Sequence, residues 1–255
     1  MPVFAGPNGI IATIINSSTQ IATNLFLSQY GTGTNYTVYN NGIQYIIDKA
    51  QQIEIDRRRM VGQSISRSQR IKTAERSTGQ PWKFKVTPPA QIPWTVGRLV
   101  TENINTRDRV EEYTINLSNN PKMSYITAYQ GEMTQAQINS LTVQAQGTST
   151  LTLTTLPSVS SSTILFAPGD IIQPANSRYP YAVSDYVVRG VNTVTNVTLN
   201  RPVITSENIT LTGQGVKVGN SATWRMVVSA LPTYTLIPMK QVQYTGDFEL
   251  IEKII

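Results

Sequence analysis

Any acid–base chemistry in this chain has to run on carboxylates. Its 255 residues include no cysteine and no histidine. That removes thiol nucleophiles, Cys/His zinc sites, Ser-His-Asp triads and imidazole bases. The candidates left are Asp170, in Pro168-Gly169-Asp170, and Asp247 and Glu249 near the end of the chain. A glycoside hydrolase needs two carboxyl groups at a defined separation, and sequence spacing does not supply one here. Asp170 reads first as a turn residue: proline fixes φ, glycine relaxes it, and the aspartate can bond its own backbone. Asp247 and Glu249 fall on the polar face of an alternating strand. Gly213-Gln214-Gly215 reads as a turn and not as a phosphate loop. The expectation is a protein that is not an enzyme, with no catalytic residue, no cofactor and no metal.

The second chemical signal is positive charge. Net charge is +6, and ten of the 21 basic residues lie between Lys49 and Lys85. Such a one-sided field suits an acidic partner. Arg57, Arg58, Arg59, Arg67, Arg70 and Lys72 are the candidate contacts. Three successive arginines on a strand cannot all point one way, which argues against a bidentate clamp. They would face a neighbouring subunit's acids or line a channel through which DNA passes. Aromatic residues are not interleaved with them as in single-strand binders, so subunit contact is favoured. A sugar-binding reading would rest on Tyr179 and Tyr181, the obvious aromatic pair near a loop. Five Asn-x-Ser/Thr triplets, beginning at Asn16, fit the abundance of Asn and Thr and carry no further weight.

Short strands are expected to position these groups. Tyr36 to Ile47 predicts a hairpin, with Asn41-Gly42 as its two-residue turn. Spacing of Ile21, Leu25 and Phe26 predicts a short helix over 19–29. Residues 52–76 read as extended, with Gly62 at a bend or bulge. Trp82, Phe84 and Val86 alternate with Lys83 and Lys85, the mark of a half-buried strand. Val96, Val100 and Ile104 predict a helix over 94–109, and residues 123–130 predict a strand. Thr134-Gln-Ala-Gln137 has the form of a capping box, with Met133 and Ile138 as its hydrophobic staple. Beyond Leu151 nearly everything alternates, including 209–211 and a long last strand over 242–250. No apolar run is long enough to span a bilayer and Met1-Pro-Val-Phe is no signal peptide, so neither membrane contact nor secretion is expected.

The order of these features resembles the distal-tail (Dit-like) and baseplate-hub proteins of tailed bacteriophages. The matching pieces are the Trp82-Lys-Phe-Lys-Val strand with Pro88-Pro89, the helical stretch after Trp94, and a module opening on Pro168-Gly169-Asp170-Ile-Ile-Gln173. The module continues through Tyr181-Ala-Val and ends at Val197-Thr-Leu-Asn-Arg201-Pro202. The chain returns through Tyr234-Thr-Leu to Gly246-Asp-Phe-Glu-Leu-Ile-Glu252. The match covers roughly residues 50–255.

The resemblance implies a mainly β chain with two β-barrel or sandwich domains, the second inserted into the first, one or two short helices and an N-terminal extension. Its segments would be an arm and hairpin over 1–49, a ring-forming barrel over 50–140 plus 227–255, and an inserted module over 141–226. It also implies a virion protein assembled in the host cytoplasm. A homo-oligomeric ring, six-fold in the family, would join the tail tube to baseplate, hub or sheath proteins around a channel for viral DNA. No small-molecule substrate is implied. The alternative reading is a carbohydrate-binding receptor module of a tail or cell-surface protein.

Overall fold

The computed structural model describes residues 26–28, 37–39, 42–57, 61–65, 71–75, 80–106, 111–205 and 209–254. The fold is mainly β, built from several small antiparallel sheets and a few short helices. Among the described residues the sheets are open and none closes into a barrel.

The largest sheet has five strands, in the order Gln52–Asp56, Lys83–Thr87, Phe248–Glu252, Trp224–Ala230 and Tyr113–Ile115. Its centre is the terminal strand, which pairs with a segment far upstream: Phe248 opposes Val86 and Leu250 opposes Phe84. The expected alternation holds at Lys83–Thr87, where Phe84 and Val86 are buried and Lys83 and Lys85 exposed. Trp82, Phe84 and Trp224 meet edge-on beneath the sheet, with centroid separations of 5.7 to 6.3 Å. This aromatic cluster anchors a first core, completed by Tyr113, Ile115, Leu117, Met226, Tyr244 and Phe248.

Helix α1 (Gly42–Asp48) and helix α2 (Trp94–Thr106) close the first core. The α2 helix forms where the four-residue spacing predicts it. Gly97 lets it lie close on the Gln241–Thr245 strand, since a Cβ there would sit 2.8 Å from a Val242 methyl carbon. The α1 helix replaces the expected hairpin at Asn41-Gly42. All seven of its residues are buried, so packing on two sides outweighs local turn preference. Gln44 fixes it to the sheet edge: its amide oxygen accepts from Asn116 N–H and its amide nitrogen donates to Asn116 C=O, both at 2.8 Å. The Asn120 side chain donates to the Ile47 carbonyl at the helix end, 3.0 Å away.

Other expectations also change. Phe26–Ser28 is extended and pairs with Thr37–Tyr39, not helical; the rest of the expected 19–29 helix lies outside the described residues. Gly62 opposes Ala74 in an unbroken ladder between Val61–Ile65 and Ile71–Glu75, without a bulge. Residues 123–130 form turns and one 3-10 turn, Ser124–Ile126. There Asn120 accepts from Met123 N–H through its carbonyl and from Lys122 N–H through its side chain. Residues 209–211 are not a strand. The long last strand is two, Gln241–Thr245 and Phe248–Glu252, in different sheets. Gly246, at φ 103°, turns the chain between them.

A second core gathers Met133, Ile138, Leu141, Leu151, Leu153, Phe166, Tyr179, Tyr181 and Val197, among others. Helix α3 (Gln135–Ser140) enters it through the expected capping box. Thr134 Oγ1 accepts from Gln137 N–H at 3.4 Å, and Gln137 Oε1 accepts from Thr134 N–H at 2.8 Å. Met133 and Ile138 are both buried in this core. Around it lie three small sheets. Thr150–Thr154 is flanked by Thr195–Thr198 and Thr142–Gln146, Ile171–Pro174 by Tyr181–Ala182 and Val216–Val218, and Ile164–Phe166 pairs with Val187–Val188. Ile171 and Ala182 reach into the first core, so the two cores touch along this line.

Candidate functional site

The most chemically charged point of the interior lies between the two cores. Asn200 holds its own backbone beside Ala182: Asn200 N–H donates to Ala182 C=O, and Ala182 N–H donates to Asn200 Oδ1, both at 2.9 Å. This pairing turns Arg201 inward, where its side chain is fully buried. The guanidinium meets Glu252 of the terminal strand in a two-pronged ion pair, Nη1 to Oε2 and Nη2 to Oε1, the latter at 2.8 Å. Nη1 also donates to Gln80 C=O at 2.5 Å and Nη2 to Pro180 C=O at 2.8 Å. Glu252 Oε2 accepts in addition from Trp82 N–H at 3.1 Å. The guanidinium lies over the Tyr181 ring, 5.2 Å from its centroid. Pro202 follows, half-buried. One side chain thus binds three other segments of the chain at once, at Gln80, at Pro180 and Tyr181, and at Glu252.

Asp170 makes a second joint. Its Oδ2 accepts from Ala167 N–H and its Oδ1 from Gln130 N–H, each at 2.8 Å. Gly169 takes a left-handed φ of 97° at the turn, while Pro168 is exposed. Gly169 N–H and the Asp170 carbonyl both bond Val183, at 2.8 Å. Burial pushes the Asp170 carboxyl above its ordinary value, and the two backbone donors oppose that shift. Both oxygens therefore hold backbone in place: the bond from Ala167 is the local one of a turn, and the bond from Gln130 ties in a distant segment. Tyr129 reinforces the same crossing: its hydroxyl donates to Leu165 C=O and accepts from Met133 N–H at 3.2 Å. Burial raises its pKa to about 12.

The remaining carboxylates lie apart from these joints. Asp247 accepts from the Thr87 hydroxyl at 2.7 Å and faces Lys85 Nζ at 3.3 Å. Glu249 lines a shallow groove on the outer face of the five-stranded sheet, with a volume of about 480 Å³. Charges alternate across that groove by register: Glu54 opposes Lys85, which opposes Glu249, and Asp56 opposes Lys83. Such a ladder neutralises itself. Among the described residues no group of three acids could hold a metal ion, and no helix is long and apolar enough to cross a membrane.

Of the basic candidates, Arg57 is exposed, its guanidinium 5.5 Å from the Trp82 ring centroid. Lys72 lies on the Ile71–Glu75 strand, opposite Ser64. Arg58, Arg59, Arg67 and Arg70 lie outside the described residues. Tyr179 and Tyr181 are fully buried in the second core, so neither offers a ring to a sugar. Sequence reasoning missed Glu252, because nothing local marks which of several strand acids will face a partner 51 residues away. No protein-family model matches the chain, and no curated protein matches it.

Proposed function

We propose that this chain is a non-enzymatic structural protein of a bacteriophage tail, working as a closed ring of six copies. The ring joins the tail tube to baseplate, hub or sheath proteins and leaves an axial channel for DNA. Its ring-forming part is the β-region built around the five-stranded sheet and the first core, into which the β-module around the second core is inserted. The segment ahead of helix α1 serves as an arm.

The observation that supports this most is the Arg201–Glu252 joint. A module meant to project from a ring and carry load must keep a fixed attitude to the part that forms the ring. A fully desolvated, two-pronged pair that ties its own two segments to those at Gln80–Trp82 and Pro180 does that, whereas a hinge between two loosely docked domains does not. The Arg201 Nη atoms, the Glu252 carboxylate and the Asp170 carboxylate are committed to backbone groups or to each other, which is the economy of a bracket. Arg57 and the basic run after it would face either the channel or a neighbouring subunit. Electron microscopy of the purified full-length chain tests the reading. Closed rings with a central opening, and the same density at the tube–baseplate junction of the particle, are expected. A protein that stays monomeric at high concentration and is absent from tails would overturn it.

A further inference from the structure

Four buried side-chain atoms have no hydrogen-bond partner among the described residues: Gln80 Oε1, Trp82 Nε1, Arg201 Nε and Trp224 Nε1. Native interiors leave few polar groups unmet, and each such group calls for a reason. These four are not scattered; they belong to residues that gather where the two cores meet. Burial alternates from Gln80 through Trp82 and Phe84 to Val86, so Gln80 and Trp82 lie on the same inner face. Trp224 opens its strand on that face too, its ring centroid 5.7 Å from those of both Trp82 and Phe84. Glu252 joins the group from the strand between them: it accepts from Trp82 N–H at 3.1 Å, and Met226, two residues past Trp224, opposes it. Gln80 C=O accepts from Arg201 Nη1. The backbone of Gln80 is thus committed to the ion pair while its side-chain oxygen, in a residue only 5% exposed, is left unmet.

The chemistry of these atoms selects what would satisfy them. An indole nitrogen only donates and an amide oxygen only accepts, so the two tryptophans cannot bond nitrogen to nitrogen. An N–H aimed at a neighbouring ring is a second-order contact. In an edge-on pair only one ring offers its edge, and Gln80 Oε1 gains nothing from it. An anion would suit the indoles but would be repelled by Gln80 Oε1 and by the Glu252 carboxylate beside them. Water suits both kinds of group. It accepts from two donors and donates to an acceptor, and buried waters make about three such bonds. Arg201 Nε, the fourth atom, stays with the ion pair.

We infer that an ordered internal water sits at this seam, accepting from Trp82 Nε1 and Trp224 Nε1 and donating to Gln80 Oε1. Gln80 then serves both cores, holding Arg201 with its carbonyl and the tryptophans through water. The inference does not depend on the ring reading. A crystal structure of the full-length chain tests it. A water peak within hydrogen-bond reach of all three atoms is expected. Gln80→Leu removes the acceptor and should abolish that peak while leaving the Arg201–Glu252 pair in place. Solution measurements give a second readout, because the chain has only three tryptophans and hence three indole N–H signals. Those of Trp82 and Trp224 should cross-relax directly with a long-lived water and should lose that transfer in Gln80→Leu. Several wild-type results overturn the inference whether or not the variant folds: no density at the indole nitrogens, a protein side chain bonded to them, or no transfer from water to either signal. An anomalous bromide peak in their place in soaked crystals would show an anion site and overturn it equally. A water peak that persists unchanged in Gln80→Leu also counts against it.

Discussion

Asp247 and Glu252 bracket the same terminal strand, and each faces a cation, yet the two pairs differ in kind. Glu252 and Arg201 are wholly desolvated and share hydrogen bonds with Gln80, Pro180 and Trp82. Asp247 meets an exposed Lys85 at the sheet surface. Coulomb attraction is stronger in the dry interior, but both charges there have lost their water, and that cost is several kcal/mol per ion. The inner pair therefore holds geometry more than it adds net stability; among the described residues Arg201 Nε even lacks a partner. The outer pair is cheap to form and cheap to lose. The chain uses one to fix the attitude of two cores and the other to keep a sheet surface soluble.

The largest effect should follow from removing one half of the inner pair. Arg201→Met leaves Glu252 buried with an unbalanced charge and should cost about 3–5 kcal/mol. Urea unfolding would read this directly. Replacing both residues, Arg201→Met with Glu252→Leu, should recover most of the loss, because well-packed apolar side chains avoid the desolvation cost. A single variant within about 1 kcal/mol of wild type would mean that the cores are not joined here.

Asp170→Asn comes next. Its two backbone donors each need an acceptor, and an amide offers one oxygen and presents N–H groups to the other donor. A loss of about 1–3 kcal/mol is expected. The wild-type turn also has a pH signature. Because burial raises the folded pKa of Asp170 above its ordinary 3.8, the folded state holds this proton where the unfolded chain has released it. Its contribution to stability thus falls as pH rises from 3.8 through the raised value. Stability against pH, measured for both proteins, should differ in slope across that interval. Identical slopes would show that Asp170 is not desolvated.

The parts of this fold that were legible in the sequence were those in which one periodic pattern met one buried face. Trp82, Phe84 and Val86, the α2 spacing and the Thr134 capping box are of that type. The α1 segment was illegible because Ile43, Tyr45, Ile46 and Ile47 are buried all round, which erases the periodicity that separates helix from strand. The 242–250 alternation was real, since Val242, Tyr244, Phe248 and Leu250 are all buried, but a single glycine moved its halves into different sheets. At the joints, Asp170 could be read as a turn because its donor at Ala167 is local. Its tie to Gln130, and the meeting of Arg201 with Glu252, depend on long-range pairing that no local pattern records.

The smallest effect belongs to the outer pair, and its sign runs opposite to that of Asp170. The Thr87 hydroxyl and, behind it, the Lys85 ammonium hold the Asp247 carboxyl below its ordinary 3.8. Its contribution is therefore present above 3.8 and lost as pH falls through the lowered value. Asp247→Asn should lower Tm near neutral pH by about 2 °C or less, since the group is partly solvated and the pair is screened. The difference from wild type should shrink in acid, where both side chains are uncharged. Raising the salt concentration should also reduce it, because exposed charges are screened within about 10 Å at 0.1 M. The Arg201→Met deficit should change little under the same salt series. If the two variants responded alike to salt, the contrast between a sealed joint and a solvated surface pair would fail.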